Sequence, residues 1–152
     1  MIITFFGHSN FLESSKYEKT VLDILLEKNR EGRMVFYFGG YGNFDEFCYR
    51  CCRKFKKREP TFRLVFVTPY ITEAYQKSRL AKNEIMYDEI IYPGLEQVPY
   101  RYAIVARNKW MSDNSDLIVS YIDHSWGGAY NACKYSVSKN KEVINIGKYV
   151  FK

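Results

Sequence analysis

Three short glycine-containing segments carry the residues whose types and spacing suit ligand chemistry. The first follows an apolar run near the N-terminus and consists of Gly7, His8, Ser9 and Asn10. A glycine there lets a ligand approach the backbone closely, and the side chains of Ser9 and Asn10 can bond to phosphate or ribose. An ordinary turn explains the same residues equally well, and His8 suits a structural hydrogen bond better than catalysis.

The second segment reads GGYGNFDE over residues 39–46 and lies between an apolar run and a predicted helix. Its glycines free backbone N–H groups at a helix N-terminus, which favours an anion such as phosphate. Asp45 and Glu46 would satisfy the same positive helix end, so these carboxylates could instead bind ribose hydroxyls. The predicted ligand contacts here are Gly39, Gly40, Tyr41 and Asp45.

The third segment reads DHSWGGAYN over residues 123–131 and again joins an apolar run to a predicted helix. It has no carboxylate in the opening turn, which makes it the cleaner phosphate site. Trp126 and Tyr130 can either stack on a nucleobase or pack in the protein interior. The predicted ligand contacts here are Asp123, Trp126, Gly127, Gly128 and Ala129.

Arg107 precedes the apolar run that leads to the third segment. Its planar guanidinium is a bidentate donor suited to phosphate. In the alternative interpretation Arg107 lies on a solvated helix face, Met111 belongs to the core, and Asp116 forms a cap or an ion pair.

The elements that must position these segments are short apolar runs alternating with longer, helically periodic stretches. The predicted strands are Ile2–Phe6, Met34–Phe38, Phe62–Val67, Glu89–Tyr92, Asp116–Ile122 and Glu142–Ile146. The predicted helices are Ser15–Arg30, Phe44–Lys57, Thr72–Arg79, Tyr100–Met111 and Ala129–Ser138. This order predicts an α/β fold, a Rossmann-like three-layer sandwich with a mainly parallel sheet, whose ligands bind at the carboxyl ends of the strands.

Helical spacing predicts which side chains face inward. The predicted buried faces are Val21, Leu22, Leu25 and Leu26 in the first helix, and Phe44, Phe47, Cys48, Cys51 and Phe55 in the second. Cys52 and Cys133 complete a set of four cysteines that is too clustered for a disulfide framework. We expect free thiols and no metal site, because structural zinc needs a second ligand pair and the two histidines, His8 and His124, stand singly.

Composition limits the classes of protein and partner. The chain has 152 residues, 47% of them hydrophobic, and a net charge of +6. We expect one domain over residues 1–152, with anionic partners favoured. No apolar run reaches the roughly 18 to 20 residues that span a bilayer, and the start lacks the features of a signal peptide, so we expect a cytoplasmic protein without membrane contact.

Together the motifs resemble the SLOG superfamily, the Rossmann-like group that joins Smf/DprA proteins to the LOG nucleotide hydrolases, and its small YpsA-like members in particular. The residues that carry the resemblance are Phe6, Gly7, His8, Gly39, Gly40, Phe44, Asp45, Arg107, Asn108, Met111, Asp113, Ser115, Asp116, Leu117, Ile118, Gly127 and Gly128. It implies a nucleotide or nucleotide-derived ligand at the sheet edge, often in a homodimer, and we expect no cofactor.

Three functions follow from this interpretation. A sensor or sponge that binds a nucleotide-derived molecule is the first. The second is a LOG-type N-glycosidic hydrolase, with Arg107 matching the family's arginine and with Glu46 or Asp45 as its carboxylate, since Lys134 stands where the family keeps its glutamate. The third is nucleic-acid binding through a basic run formed by Arg50, Arg53, Lys54, Lys56, Lys57, Arg58 and Arg63.

Overall fold

Six parallel strands form one sheet in the computed structural model, which describes residues 1–29, 32–75 and 86–152. The strands are β1 (Ile2–Gly7), β2 (Val35–Phe38), β3 (Arg63–Val67), β4 (Glu89–Ile91), β5 (Leu117–Tyr121) and β6 (Glu142–Asn145). Their order across the sheet is β4-β3-β2-β1-β5-β6. Every neighbouring pair is parallel, which confirms the predicted Rossmann-like α/β fold.

The helices that connect the strands are α1 (Ser15–Lys28), α2 (Asn43–Lys56), α3 (Glu73–Tyr75), α4 (Ala103–Asp113) and α5 (Gly128–Ser138). The helix predicted from Tyr100 begins as a 3-10 turn over Tyr100–Tyr102 and becomes α-helical at Ala103. Of the predicted helix Thr72–Arg79, residues 76–79 lie outside the described part of the chain, as does Arg30. None of the described helices is both long and apolar enough to cross a membrane.

Alternate side chains of each strand point to opposite faces of the sheet and bury two separate clusters. Phe5 and Phe36 belong to the cluster beneath α1 and α2. Phe6 and Tyr37 belong to the other cluster, with Met111 of α4 and residues of α5. The sheet is therefore the middle layer between two helical layers, and this explains why its strands are apolar almost throughout.

The predicted helix faces are largely confirmed. All five residues predicted to face inward from α2 are buried, and all four cysteines are buried free thiols. Burial raises the pKa of Cys51 to about 12, so this thiol stays protonated at neutral pH. In α1, Val21 and Leu25 are buried, but Leu26 is 63% exposed and its prediction is wrong. Leu26 lies about 100° round the helix from Leu25, outside the stripe that meets the sheet.

The order of the strands reverses at β1. The chain builds β2, β3 and β4 on one side of β1 and then returns to place β5 and β6 on the other side. At such a reversal the connections leave the carboxyl ends of the strands in opposite directions, and a crevice opens between them. The three glycine-containing segments follow β1, β2 and β5, so they surround this crevice.

Candidate functional site

A pocket of about 460 Å³ opens at the carboxyl ends of β1, β2 and β5. Most residues predicted as ligand contacts line it: Gly7, His8, Ser9, Asn10, Gly39, Tyr41, Asp45, Arg107, Trp126, Gly127, Gly128 and Ala129. The rest of its wall was not among the predicted contacts: Phe5, Phe6, Ile104, Asn108, Met111 and His124. Of these, Ile104 and Met111 lie three residues before and four residues after Arg107 on the same helix, so helical spacing places them on the same wall.

Three residues predicted for the site lie outside the pocket lining. Gly40 donates its backbone N–H to the Asp45 carboxylate, and Asp123 contacts two histidines behind the pocket wall. Glu46 is exposed on α2, because it lies about 100° round the helix from the inward-facing Asp45. Asp45 is therefore the carboxylate of the α2 end that lines the pocket.

Arg107 is buried in the wall of the pocket, only 5% exposed, so the solvated-face interpretation is wrong. Its Nη1 donates to the carbonyls of Gly39 at 3.0 Å and Val67 at 2.9 Å, and its Nε donates to Asn108 Oδ1 at 2.9 Å. No acceptor among the described residues bonds to its Nη2. These bonds fix the guanidinium before any ligand arrives.

The residues near Arg107 have structural roles. Met111 is fully buried, as its helical spacing from Arg107 predicts. Asp116 accepts the backbone N–H of Ile2 at 2.7 Å and so holds the start of β1 against the approach to β5. The segment before β5 thus contributes two polar side chains to the pocket, Arg107 and its hydrogen-bond partner Asn108.

Asp45 closes the turn that contains Gly39 and Gly40. Its two carboxylate oxygens accept the N–H groups of Gly39 at 3.2 Å and Gly40 at 3.0 Å. Burial raises the pKa of Asp45 to about 7, although Arg107 and both N–H bonds act in the opposite direction. Because the protein's own carboxylate occupies these N–H groups, this turn is not an open phosphate cradle.

The two helix N-termini at the pocket differ in accessibility. At the start of α2, the Asn43 N–H donates to the Ser9 carbonyl at 3.1 Å, so the first segment covers this helix end. At the start of α5, a Cβ built on either Gly127 or Gly128 would meet no heavy atom within 4 Å. The first turn of α5 also contains no acidic side chain. The N-terminus of α5 is consequently the more accessible of the two helix ends, and its first backbone N–H groups are not covered by a side chain of the opening turn.

Gly7 has a packing reason to be glycine. A Cβ at this position would overlap the ring of Phe44, which is fully buried at the start of α2. Because β1 approaches α2 closely, the first segment (residues 7–10) and the second segment (residues 39–46) lie side by side. Close approach of a ligand, which the sequence predicts at Gly7, is thus not needed to explain this glycine.

The two histidines are neighbours, so the expectation that they stand singly is wrong. The rings of His8 and His124 are stacked, with centroids 3.6 Å apart and planes at 8°. Asp123 Oδ1 lies 2.5 Å from His124 Nδ1 and 3.3 Å from His8 Nε2. In the sequence, each histidine follows a predicted strand. In the structure, these strands, β1 and β5, pair directly up to Gly7 and Tyr121, and this brings the two histidines together.

The ligand atoms of His8, Asp123 and His124 all lie within 4.8 Å of one another. An imidazole nitrogen binds a metal along a lone pair in the plane of its ring. Since the two rings are parallel and face each other, their lone pairs do not converge on a common point. In this arrangement the cluster is therefore a stack of rings and not a binding site for a cation.

The pKa of His8 is lowered by burial and by the neighbouring His124, and Asp123 opposes this shift.

Of the two aromatic residues predicted to stack on a base, only Trp126 lines the pocket. Its ring lies 4.0 Å from that of His124 and continues the histidine stack toward solvent. Tyr130 is half-buried and packs on Tyr149 and Phe151 of the C-terminal tail. The interior-packing alternative therefore describes Tyr130.

The basic run on and after α2 is partly neutralised. Its ion pairs are Arg50 with Glu13, Lys54 with Glu18, Lys56 with Asp88, and Arg63 with Glu89. Four of its seven cations thus have an acidic partner, which weakens the run as a phosphate-binding stripe.

Comparison with protein-family models gives no match, and neither does comparison with the sequences of curated proteins. Solved structures do share the fold. DNA processing protein A (DprA) from Streptococcus pneumoniae superposes with a TM-score of 0.64 at 13% identity, over 99% of this chain and 51% of that one. The chain thus spans about half the length of that protein.

Two further structures are similar. DprA from Helicobacter pylori, described for its single-stranded DNA binding mode, has a TM-score of 0.64 at 14% identity, over 100% of this chain and 67% of that one. The structural genomics target TM1055 has a TM-score of 0.54 at 15% identity, over 93% and 71% of the two chains. These likenesses confirm the fold that the SLOG resemblance implies, and the YpsA-like subgroup remains a prediction.

Proposed function

We propose that this protein binds a nucleotide or nucleotide-derived small molecule by its phosphate, as a sensor or sponge. The observation that carries this proposal is the open N-terminus of α5 in the same pocket as the buried guanidinium of Arg107. Backbone N–H groups and the helix dipole attract a phosphate, and Arg107 Nη2 offers a charge-assisted hydrogen bond. The homodimer that the SLOG resemblance implies is part of the proposal.

The size and charge of the pocket suit such a ligand. Its volume of about 460 Å³ falls within the roughly 300 to 1,000 Å³ of small-molecule sites. The net charge of +6 draws anions toward the protein. Because Asp45 already bonds to two N–H groups and lies beside Arg107, it restrains the turn without closing the α5 end to an anion.

Calorimetry with ribose 5-phosphate tests the phosphate site directly. We expect the wild type to bind this probe and Gly128→Val to lose binding, since the added side chain occupies the space in front of the α5 N–H groups. Asn131→Val is the matched control, because Asn131 lies in the same helix, is exposed and does not line the pocket. Equal affinities in wild type and Gly128→Val would contradict the proposal.

One observation favours a nucleotide hydrolase as a second candidate. Asp45 lines the pocket in the field of Arg107, and its pKa of about 7 suits a general acid or base. Of the two carboxylates that the sequence offers for catalysis, Asp45 lines the pocket and Glu46 does not. The hydrolase ranks below the binding module, because both Asp45 oxygens already accept hydrogen bonds from the turn.

The fold shared with Helicobacter pylori DprA favours single-stranded DNA as another ligand. The ion pairs along α2 reduce the free positive charge for such binding.

Fluorescence anisotropy of a labelled oligonucleotide, measured over a series of salt concentrations, distinguishes nucleotide binding from DNA binding. We expect the oligonucleotide to bind weakly and its binding to disappear as the salt concentration rises. Tight binding that depends on the basic run, probed by Arg53→Gln with Lys57→Gln, would instead favour the nucleic-acid function.

A further inference from the structure

Two large aromatic side chains of the pocket wall face solvent instead of the core. Tyr41 is 72% exposed and Trp126 is 69% exposed, although both line the pocket. Other rings that line the same pocket, Phe5 and Phe6, are almost completely buried. The exposed faces of Tyr41 and Trp126 are therefore apolar surface presented to whatever occupies the pocket.

The two rings come from opposite sides of the crevice. Tyr41 follows β2 and Trp126 follows β5, and these strands flank β1. The ends of β2 and β5 are thus two strand spacings apart, roughly 9 to 10 Å. Tyr41 lies three residues beyond the end of β2 and Trp126 five residues beyond the end of β5, and both side chains line the pocket.

Trp126 is held in place before a ligand arrives. Its ring packs against His124 with centroids 4.0 Å apart and planes tilted by 34°, and His124 stacks on His8 at 3.6 Å. His8 is only 6% exposed, and Asp123 lies against both imidazoles. This series of rings from the interior outward reduces the entropy that Trp126 loses when a further ring stacks on it.

We propose that Tyr41 and Trp126 sandwich the planar base of the bound nucleotide while its phosphate lies at the α5 N-terminus. This inference rests on the proposed function, and it names the group that the pocket recognises besides the phosphate. The neighbouring positions of Trp126 and Gly127 suit a mononucleotide, whose base and phosphate are separated by a single ribose. Stacking is tolerant of base identity, because every base has a π-face.

The test compares the four nucleoside monophosphates AMP, GMP, CMP and UMP with ribose 5-phosphate, which lacks only the base. At least one nucleotide should bind the wild type about 5-fold to 150-fold more tightly than ribose 5-phosphate. Tyr41→Ala and Trp126→Ala should each reduce this difference. Tyr102→Ala is the control, since Tyr102 is exposed outside the pocket lining.

The outcomes separate the sandwich from the phosphate site. If ribose 5-phosphate binds and no nucleotide binds more tightly, the sandwich is wrong and the phosphate site stands. Equal nucleotide preference in the wild type and in both alanine variants also overturns the sandwich. If the wild type binds none of the five probes, the proposed function fails and the sandwich fails with it.

Discussion

At the scale of single residues, Arg107 is the polar group on which we expect ligand affinity to depend most. Its Nε and Nη1 are used to hold the guanidinium, and Nη2 is left for an anion. Lysine keeps the positive charge but lacks the planar set of N–H donors that the guanidinium provides. We expect Arg107→Lys to weaken ribose 5-phosphate binding by about 1.5 to 3 kcal/mol, measured by calorimetry.

A matched variant controls for the exchange of arginine for lysine. Arg101 is exposed on the 3-10 turn that leads into the same helix and does not line the pocket, so Arg101→Lys should bind like the wild type. If a folded Arg107→Lys retains full affinity, the guanidinium supports the pocket wall and does not bind the phosphate.

Asp45 gives the protein's stability a characteristic pH dependence. Its pKa rises from an ordinary value of 3.8 to about 7 on folding, because burial disfavours the charged form. The folded state therefore holds a proton that the unfolded state releases between these values. The contribution of Asp45 to the free energy of unfolding is complete below pH 4 and is lost as the pH rises through about 7.

Urea unfolding of the wild type and Asp45→Asn between pH 5 and 8 measures this effect. The stability of the wild type should fall relative to the variant as the pH rises, since asparagine does not titrate. His8, whose pKa is lowered on folding, shifts stability in the opposite direction, but it is present in both proteins and largely cancels in the difference. Parallel pH profiles would show that Asp45 is already ionised in the folded protein at pH 5.

At the scale of elements, the contact of β1 with α2 determines how the first two segments meet. Gly7→Ala places a methyl group against the Phe44 ring, and overpacking of this kind costs roughly 1 to 3 kcal/mol. Chemical denaturation should show this loss, and Phe44→Leu should restore part of it in the double variant. Gly128→Ala, where a Cβ meets no atom within 4 Å, should change stability little. An unaltered stability of Gly7→Ala would mean that β1 and α2 pack less closely than described.

The local pattern predicts the elements well but not the contacts between distant ones. Apolar runs identify all six strands, and spacing from Phe44 to Phe55 identifies the buried face of α2. The stacking of His8 on His124 joins residues 116 positions apart, so no local period encodes it. Asp45 likewise turns back to bond Gly39 and Gly40, although its place at a helix start suits several roles equally. The pairing of β1 with β5 brings the two histidines together, whereas the Asp45 bonds reach back only five and six residues.

At the scale of the whole molecule, the arrangement of charge favours binding over turnover. Glu46 and Lys134 are both exposed outside the pocket lining, and Asp45, the other candidate carboxylate, already accepts two hydrogen bonds from the turn. Incubation with nucleoside monophosphates or NAD should therefore release no free base, as followed by chromatography. Base release that disappears in Asp45→Asn, with the variant still folded, would establish a hydrolase whose carboxylate is Asp45.

In the proposed complex, a nucleotide phosphate lies at the N-terminus of α5. A crystal structure of the protein grown with AMP tests it most directly. The predicted result is a phosphate within hydrogen-bonding distance of the backbone N–H groups of Gly128 and Ala129 and of Arg107 Nη2. A phosphate bound at Gly39 and Gly40 with Asp45 displaced, or AMP located outside the pocket, would contradict the account.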